Sequence, residues 1–124
     1  MRVFRLAALT ALPLALSAPL SAQPPGQTIY VWSFNFSPRP IQLAAGRAVT
    51  LTFVNRSGSA HDFVAHTFFG TSRIIAGDAS EGEIDLPPHA TKSITLVPRL
   101  GTYHAHCSHF LHAQMGMTNQ IIVS

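Results

Sequence analysis

Short runs of β-branched and aromatic residues, separated by Gly, Pro, Asn and Ser, make up most of the chain after its first two dozen residues. In the run 47–55, Val49, Leu51 and Phe53 alternate with polar or small residues, as in a strand with one buried face. No stretch of ten or more residues has helical periodicity, and 70–82 has no regular pattern. The sequence therefore predicts an all-β domain, a two-sheet Greek-key β-sandwich of antiparallel strands. The predicted strands cover residues 28–36, 47–55, 61–69, 83–86, 90–97, 101–107 and 118–123.

The first 22 residues have the features of a secretory signal peptide. Arg2 and Arg5 precede an apolar run, and small residues follow it. A membrane anchor is the alternative, but the run is short for a spanning helix and prolines interrupt it. We expect a protein that is secreted to the periplasm and does not insert into a membrane after cleavage. The predicted segments are a signal peptide at 1–22, cut after Ala22 or alternatively after Ala18, and one mature domain at 23–124.

The charge balance argues against a nucleic-acid partner. The whole chain has eight Lys and Arg against five Asp and Glu, a formal charge of +3. Two of the basic residues, Arg2 and Arg5, belong to the predicted leader, so the predicted mature domain keeps six basic and five acidic residues. No run of Lys or Arg is left there to bind phosphates.

The only cysteine lies in a cluster of metal-binding residue types near the C-terminus. Residues 101–117 hold it together with four of the seven histidines and two of the three methionines. A lone Cys forms no intramolecular disulfide, and thiolate, imidazole and thioether together favour copper over calcium, magnesium or manganese. Zinc is the competitor, but structural zinc sites usually offer two or more cysteines. Cys107, His112 and Met117 fall at C-x4-H-x4-M, so a second imidazole would complete the donor set of blue-copper centres.

Further segments accompany this cluster along the chain, namely 34–46, 49–55, 61–63, 101–103 and 120–123. Together with the Cys-His-Met loop, they resemble the small periplasmic cupredoxins, the family of type 1 copper proteins that includes plastocyanin and azurin. The resemblance covers most of the predicted mature domain. It implies an eight-stranded Greek-key sandwich with one type 1 copper ion at one end.

The resemblance also implies which residues bind the copper ion. Two of these ligands, His112 and Met117, have alternatives nearby in the sequence. His109 competes with His112, but its spacing would place the ligand almost within the cysteine strand. Met115 competes with Met117, but it leaves a very tight turn after the histidine. The implied ligands are His61, Cys107 and His112 in the plane and Met117 on the axis.

Two departures from related patterns affect this interpretation. Many cupredoxins have Asn directly after the first histidine, where this chain has Asp62. An ionised carboxylate there is expected to lower the reduction potential. The loop also resembles the last copper motif of multicopper oxidases, which reads His-Cys-His. Here His106 precedes the cysteine but Ser108 follows it, so one of the two histidines that would face a trinuclear cluster is missing.

The remaining histidines have no assigned role. Strand alternation places Tyr103, Ala105 and Cys107 inward, and therefore His104 and His106 outward on one face. These two are either solvent-exposed histidines without a role or part of an accessory copper or zinc site. The candidates for a third ligand to that site are His66, His89 and His109.

The expected function is one-electron transfer by a protein that is not an enzyme. A closed site of two histidines, one cysteine and one methionine suits outer-sphere chemistry, and Phe110, Leu111 and Met115 would form an apolar patch around His112. We expect a redox protein to dock transiently on that patch, through a small interface that implies a monomer. The alternative for the patch is a hydrophobic plug over the metal. The alternative for the protein is a role in copper tolerance, storage or delivery. An enzyme related to copper oxidases or nitrite reductases is disfavoured because the sequence offers no second copper site of their kind.

Overall fold

The computed structural model of the protein describes residues 1–17 and 22–124. Residues 1–17 are exposed and have no regular secondary structure. Within the described ranges, no helix is long and apolar enough to cross a membrane. The alternative cleavage position after Ala18 lies outside the described residues.

Ten strands, one short helix and one 3-10 turn form a sandwich within residues 22–124. The helix α1 is His66–Thr71, and the 3-10 turn is Ser80–Gly82. The strands are β1 Gly26–Trp32, β2 Asn35–Ser37, β3 Ile41–Leu43, β4 Val49–Asn55, β5 His61–Val64, β6 Arg73–Ala76, β7 Glu83–Leu86, β8 Thr91–Val97, β9 Gly101–His106 and β10 Thr118–Val123.

The strands form two five-stranded sheets, in the orders β2-β1-β4-β8-β6 and β3-β10-β9-β5-β7. The prediction of a two-sheet β-sandwich is confirmed. The prediction that the strands are all antiparallel is wrong, because β1 pairs with β4 and β3 with β10 in parallel. The chain crosses to the second sheet as β3 before it returns as β4, and β4 therefore lies beside β1 in the same direction.

Apolar side chains from both sheets fill the space between them. Val49, Leu51 and Phe53 of β4 are buried, as their alternation predicted. The ring of Phe63 on β5 lies 4.8 Å from that of Phe53 and 5.3 Å from that of Phe36, measured between ring centroids. These contacts join the two sheets at Phe63, two residues after His61, which begins β5.

The predicted strand 61–69 is wrong beyond Val64, where the chain turns into α1. Phe68 and Phe69 are both buried, which a strand could not achieve against one face because successive side chains point to opposite sides. In the helix, the ring of Phe68 lies 5.5 Å from that of Tyr103 and the ring of Phe69 lies 6.2 Å from that of Phe63, measured between centroids. Burial of two consecutive aromatic residues thus outweighs the β propensity of this segment.

The implied count of eight strands is also exceeded. The predicted strand 28–36 is divided into β1 and β2 by a turn in which Phe34 has a φ of 69°, in the left-handed region. The segment 70–82, left unassigned from the sequence, contributes β6 and the 3-10 turn. The additions lie outside β5, which begins with the predicted ligand His61, and β9, which the predicted ligand Cys107 directly follows.

Candidate metal centre

His61 is held in place by the loop that precedes it. At the end of β4, the buried Asn55 directs its amide nitrogen to the carbonyl oxygens of Ser59 at 2.8 Å, Leu86 at 3.0 Å and Pro87 at 3.0 Å. Its amide oxygen accepts hydrogen bonds from the backbone N–H and the hydroxyl of Ser57. One side chain therefore ties the 56–60 loop to the end of β7. His61, which starts β5, is buried against this support.

Cys107 and His112 are positioned by the turn between β9 and β10. The N–H of Cys107 donates to the carbonyl of Met117 at 3.1 Å, and the N–H of Met117 donates to the carbonyl of His112 at 3.0 Å. The N–H of His112 donates in turn to the carbonyl of His109 at 3.0 Å. These bonds close the C-x4-H-x4-M segment into a compact loop, so both side chains point toward His61.

Three ligand atoms converge at this end of the sandwich. The Nδ1 atoms of His61 and His112 are 3.2 Å apart, and the Sγ of Cys107 lies 3.9 Å and 3.5 Å from them. For a triangle with these sides, a point equidistant from the three atoms is about 2.1 Å from each, the length of a transition-metal bond to imidazole or thiolate. Within the described residues, this is the one group of three or more His, Cys, Asp or Glu side chains close enough to hold a metal ion.

Burial affects the protonation of these groups. It lowers the pKa of His61, as do His112 and His109 beside it, while Asp62 opposes the shift. Burial also raises the pKa of the Cys107 thiol, against the effect of backbone hydrogen bonds. A lowered pKa favours the neutral imidazole of His61, the form that binds metals, and a raised pKa favours the protonated thiol, from which a bound metal would displace the proton. The donor set and its charges fit a soft or borderline cation.

The fourth predicted ligand is Met117, whose side chain is fully buried and whose backbone carbonyl accepts from the N–H of Cys107. Its rival Met115 is 60% exposed. His109, the rival of His112, is not a member of the converging group and instead stacks on the ring of His112 at 5.6 Å between centroids. The arrangement favours His112 and Met117 over both rivals, although ligation by the four residues stays a prediction.

Asp62 fills the position where many cupredoxins have Asn. Its carboxylate is buried and accepts hydrogen bonds from the backbone N–H of Ser108, at 2.6 Å, and from the Ser108 hydroxyl. Ser108 directly follows Cys107. The carboxylate therefore ties the β5 end of the site to the cysteine loop and lies close enough to the Cys107 thiol to influence it electrostatically.

The other histidines lie outside the converging group. His104 and His106 lie side by side on the outer face of β9, with Tyr103, Ala105 and Cys107 buried, as alternation predicted. His89 lies near Gly58, and His66 lies beside Gly82. Among the described residues, none of the three candidates joins His104 and His106 in a three-donor group.

Two contributors to the site were not predicted from the sequence. The sequence marks Asn55 only as the end of a strand, because hydrogen bonds to carbonyls 31 and 32 residues away leave no local signal. The sequence predicts a strand at Phe34, whose ring meets that of His112 edge-on, with 5.2 Å between the ring centroids. Its left-handed backbone, which turns the ring toward the ligand loop, is rare for an aromatic residue and has no cue in the sequence.

Comparisons with known proteins identify the family of the domain. The family model described as "Cupredoxin-like domain" matches residues 5–123, a range that begins within the predicted leader. A search of curated proteins finds no match.

Among solved structures, auracyanin B is similar with a TM-score of 0.59 and 20% identity, over 85% of this chain and 93% of that one. Dithionite-reduced auracyanin from the photosynthetic bacterium Roseiflexus castenholzii is similar with a TM-score of 0.62 and 18% identity, over 84% of this chain and 99% of that one. A multi-copper oxidase from Pediococcus acidilactici is similar with a TM-score of 0.61 and 18% identity, over 93% of this chain but only 30% of the oxidase. At these identities the likeness concerns the fold. With the family match and the clustered His, Cys and Met side chains, the chain belongs to the cupredoxin-like domain family and has a site for one type 1 copper ion.

Proposed function

We propose that the protein is a one-electron carrier of the periplasm. The observation that carries the proposal is the convergence of the two Nδ1 atoms and the thiol sulfur on one buried point. When bound, copper supplies the Cu(I)/Cu(II) couple. The predicted leader supports a periplasmic location. So does the single cysteine, because a lone cysteine in an oxidising compartment is explained by its binding a metal.

The protein residues would keep the ligand positions fixed through the redox cycle. His61 is held by the Asn55 network and Cys107 by the Asp62–Ser108 and Met117 hydrogen bonds. Both are buried, so little rearrangement accompanies a change of charge at the site. His112 is half-buried under Phe34 and is the ligand nearest to solvent, which makes its ring edge the natural point of electron entry and exit.

We propose that redox partners dock on an apolar patch formed by Phe110, Leu111 and Met115, which are 87%, 51% and 60% exposed. These side chains belong to the same loop between β9 and β10 as His112. A small patch of this kind fits a transient encounter between monomers better than an obligate dimer.

The docking patch can be tested through electron self-exchange, measured by NMR line broadening in mixtures of the two oxidation states. Phe110→Ser is expected to slow self-exchange about tenfold, the factor that corresponds to about 1.4 kcal/mol of lost encounter stability. The visible spectrum should not change, because Phe110 is not a ligand. Leu100→Ser is the matched control: Leu100 is 69% exposed and precedes β9, at the end of that strand opposite to Cys107. Equal rates in the two variants would show that the patch has no part in exchange.

The proposed function itself is tested by voltammetry and visible spectroscopy of the copper-loaded protein. An electron carrier should show an intense thiolate-to-copper absorption that bleaches and returns over a reversible one-electron wave. A colourless copper adduct with a strong preference for Cu(I) and no electron exchange would contradict it. That outcome would favour copper tolerance, storage or delivery, for which the outward-facing His104 and His106 are the supporting observation.

Asp62→Asn is expected to raise the reduction potential. The carboxylate stabilises Cu(II) relative to Cu(I), and the amide removes its charge while its oxygen can still accept from the N–H of Ser108. Asp78→Asn is a matched control. Like Asp62, Asp78 accepts hydrogen bonds from the N–H and the hydroxyl of one serine, in this case Ser80, but Asp78 is fully exposed. The potentials are measured by voltammetry at constant pH. An unchanged or lower potential in Asp62→Asn would contradict the electrostatic role.

A further inference from the structure

The outer face of β9 carries two imidazoles that the type 1 site does not use. His104 and His106 are two residues apart on one strand, so their side chains point to the same side. Their rings stack, with centroids 5.4 Å apart and planes inclined by 20°. His104 is exposed and His106 is partly buried, and the residues between and beside them face the core. The pair is thus preformed and open to solvent.

The surroundings of the pair are polar and include Asp62 and His66, which both act electrostatically on His106. On the neighbouring strand β10, Gln120 is opposite His104 and Thr118 is opposite His106. Arg39 lines the same surface depression as His104, but its guanidinium donates to the carbonyl of Gly116 at 3.4 Å. On the other side of β9, Val64 of β5 is opposite His106. The two stacked rings are therefore available as metal ligands on this face of the sheet.

We propose that His104 and His106 form a second metal site, which binds a divalent transition-metal ion of the Cu(II) or Zn(II) class. Imidazole suits both ions, and Cu(II) should bind more tightly. A small rotation of two surface side chains would turn the stacked rings so that one nitrogen of each faces a common ion. Since only two protein ligands are present, water completes the coordination and the ion exchanges readily.

The second site would be separate from the type 1 site even though the two are adjacent in sequence. His106 is joined to Cys107 by one peptide bond, but the cysteine is buried between the sheets and the histidine points away from them. No side chain is shared between the two donor groups. The proposal therefore does not depend on the electron-transfer function, and either can fail without the other.

The test is a Cu(II) titration of protein whose type 1 site is already filled, followed by calorimetry and EPR. We expect a second equivalent of Cu(II) per chain, with a tetragonal EPR signal and nitrogen hyperfine splitting from two imidazoles. His104→Ala/His106→Ala should bind one equivalent in total. Its visible type 1 absorption should remain, which would show that the domain is folded. If that variant does not fold, His104→Gln/His106→Gln replaces it with polar side chains of similar bulk.

His89→Asn is the matched control. It removes an exposed imidazole elsewhere, and Asn tolerates the left-handed backbone at this position, where φ is 59°. This variant should keep the second equivalent. A native protein that binds only one equivalent would overturn the proposal. So would a second equivalent that persists in the double variant or is lost equally in His89→Asn.

Discussion

Cys107→Ser is expected to abolish the intense visible absorption of the copper-loaded protein. The absorption arises from charge transfer between thiolate and copper, and a serine hydroxyl neither ionises near neutral pH nor supplies a sulfur orbital. The substitution leaves the Nδ1 atoms of His61 and His112 in place, 3.2 Å apart. Copper should therefore still bind, more weakly, with the pale spectrum of an ordinary nitrogen and oxygen site. Visible absorption and EPR of the same sample measure both effects.

The control for this substitution is His109→Ala. His109 was the rival of His112 in the sequence and stacks on it in the structure, outside the converging group. We expect this variant to keep the visible band. Loss of the band in His109→Ala, together with its survival in His112→Ala, would show that the ligand loop binds copper through the other histidine. Survival of the band in Cys107→Ser would rule out a type 1 site at this position.

The ligand loop and the central strands could be predicted because their signals are local. Alternation of apolar residues over 47–55 identified β4 and its buried face, and alternation over 101–107 placed His104 outward and Cys107 inward. The C-x4-H-x4-M spacing needs only a short turn between two strands to bring its side chains together. Short-range patterns of this kind are independent of how the rest of the chain folds.

Features decided by distant contacts could not be predicted. α1 depends on two core pockets, one beside Tyr103 and one beside Phe63, which exist only once the sheets have packed. The parallel pairing of β1 with β4 follows from the path of the chain through β3, which no residue in either strand reveals. His61 was placed by family resemblance rather than by its own surroundings, since the network that holds it begins at Asn55 and ends near β7.

That network is expected to make Asn55→Ala the most destabilising polar substitution near the site. The alanine would leave the carbonyls of Ser59, Leu86 and Pro87 without their amide donor, and the N–H of Ser57 without its acceptor. Each buried group left unpaired costs about 1–3 kcal/mol, and partial access of water to the loop reduces the sum. We expect the free energy of unfolding of the metal-free protein to fall by about 2–4 kcal/mol in urea denaturation.

Gln42→Ala is the control, because Gln42 is an exposed carboxamide on β3 and should change stability by no more than about 0.5 kcal/mol. Asn55→Asp separates the two halves of the network. Its carboxylate can still accept from Ser57, but it faces three carbonyl oxygens without a proton to donate. It should therefore be at least as destabilised as Asn55→Ala, and both should bind copper more weakly because the loop before His61 loosens. Wild-type stability in Asn55→Asp would mean that the three carbonyls are satisfied by water, and that the loop is held by Ser57 alone.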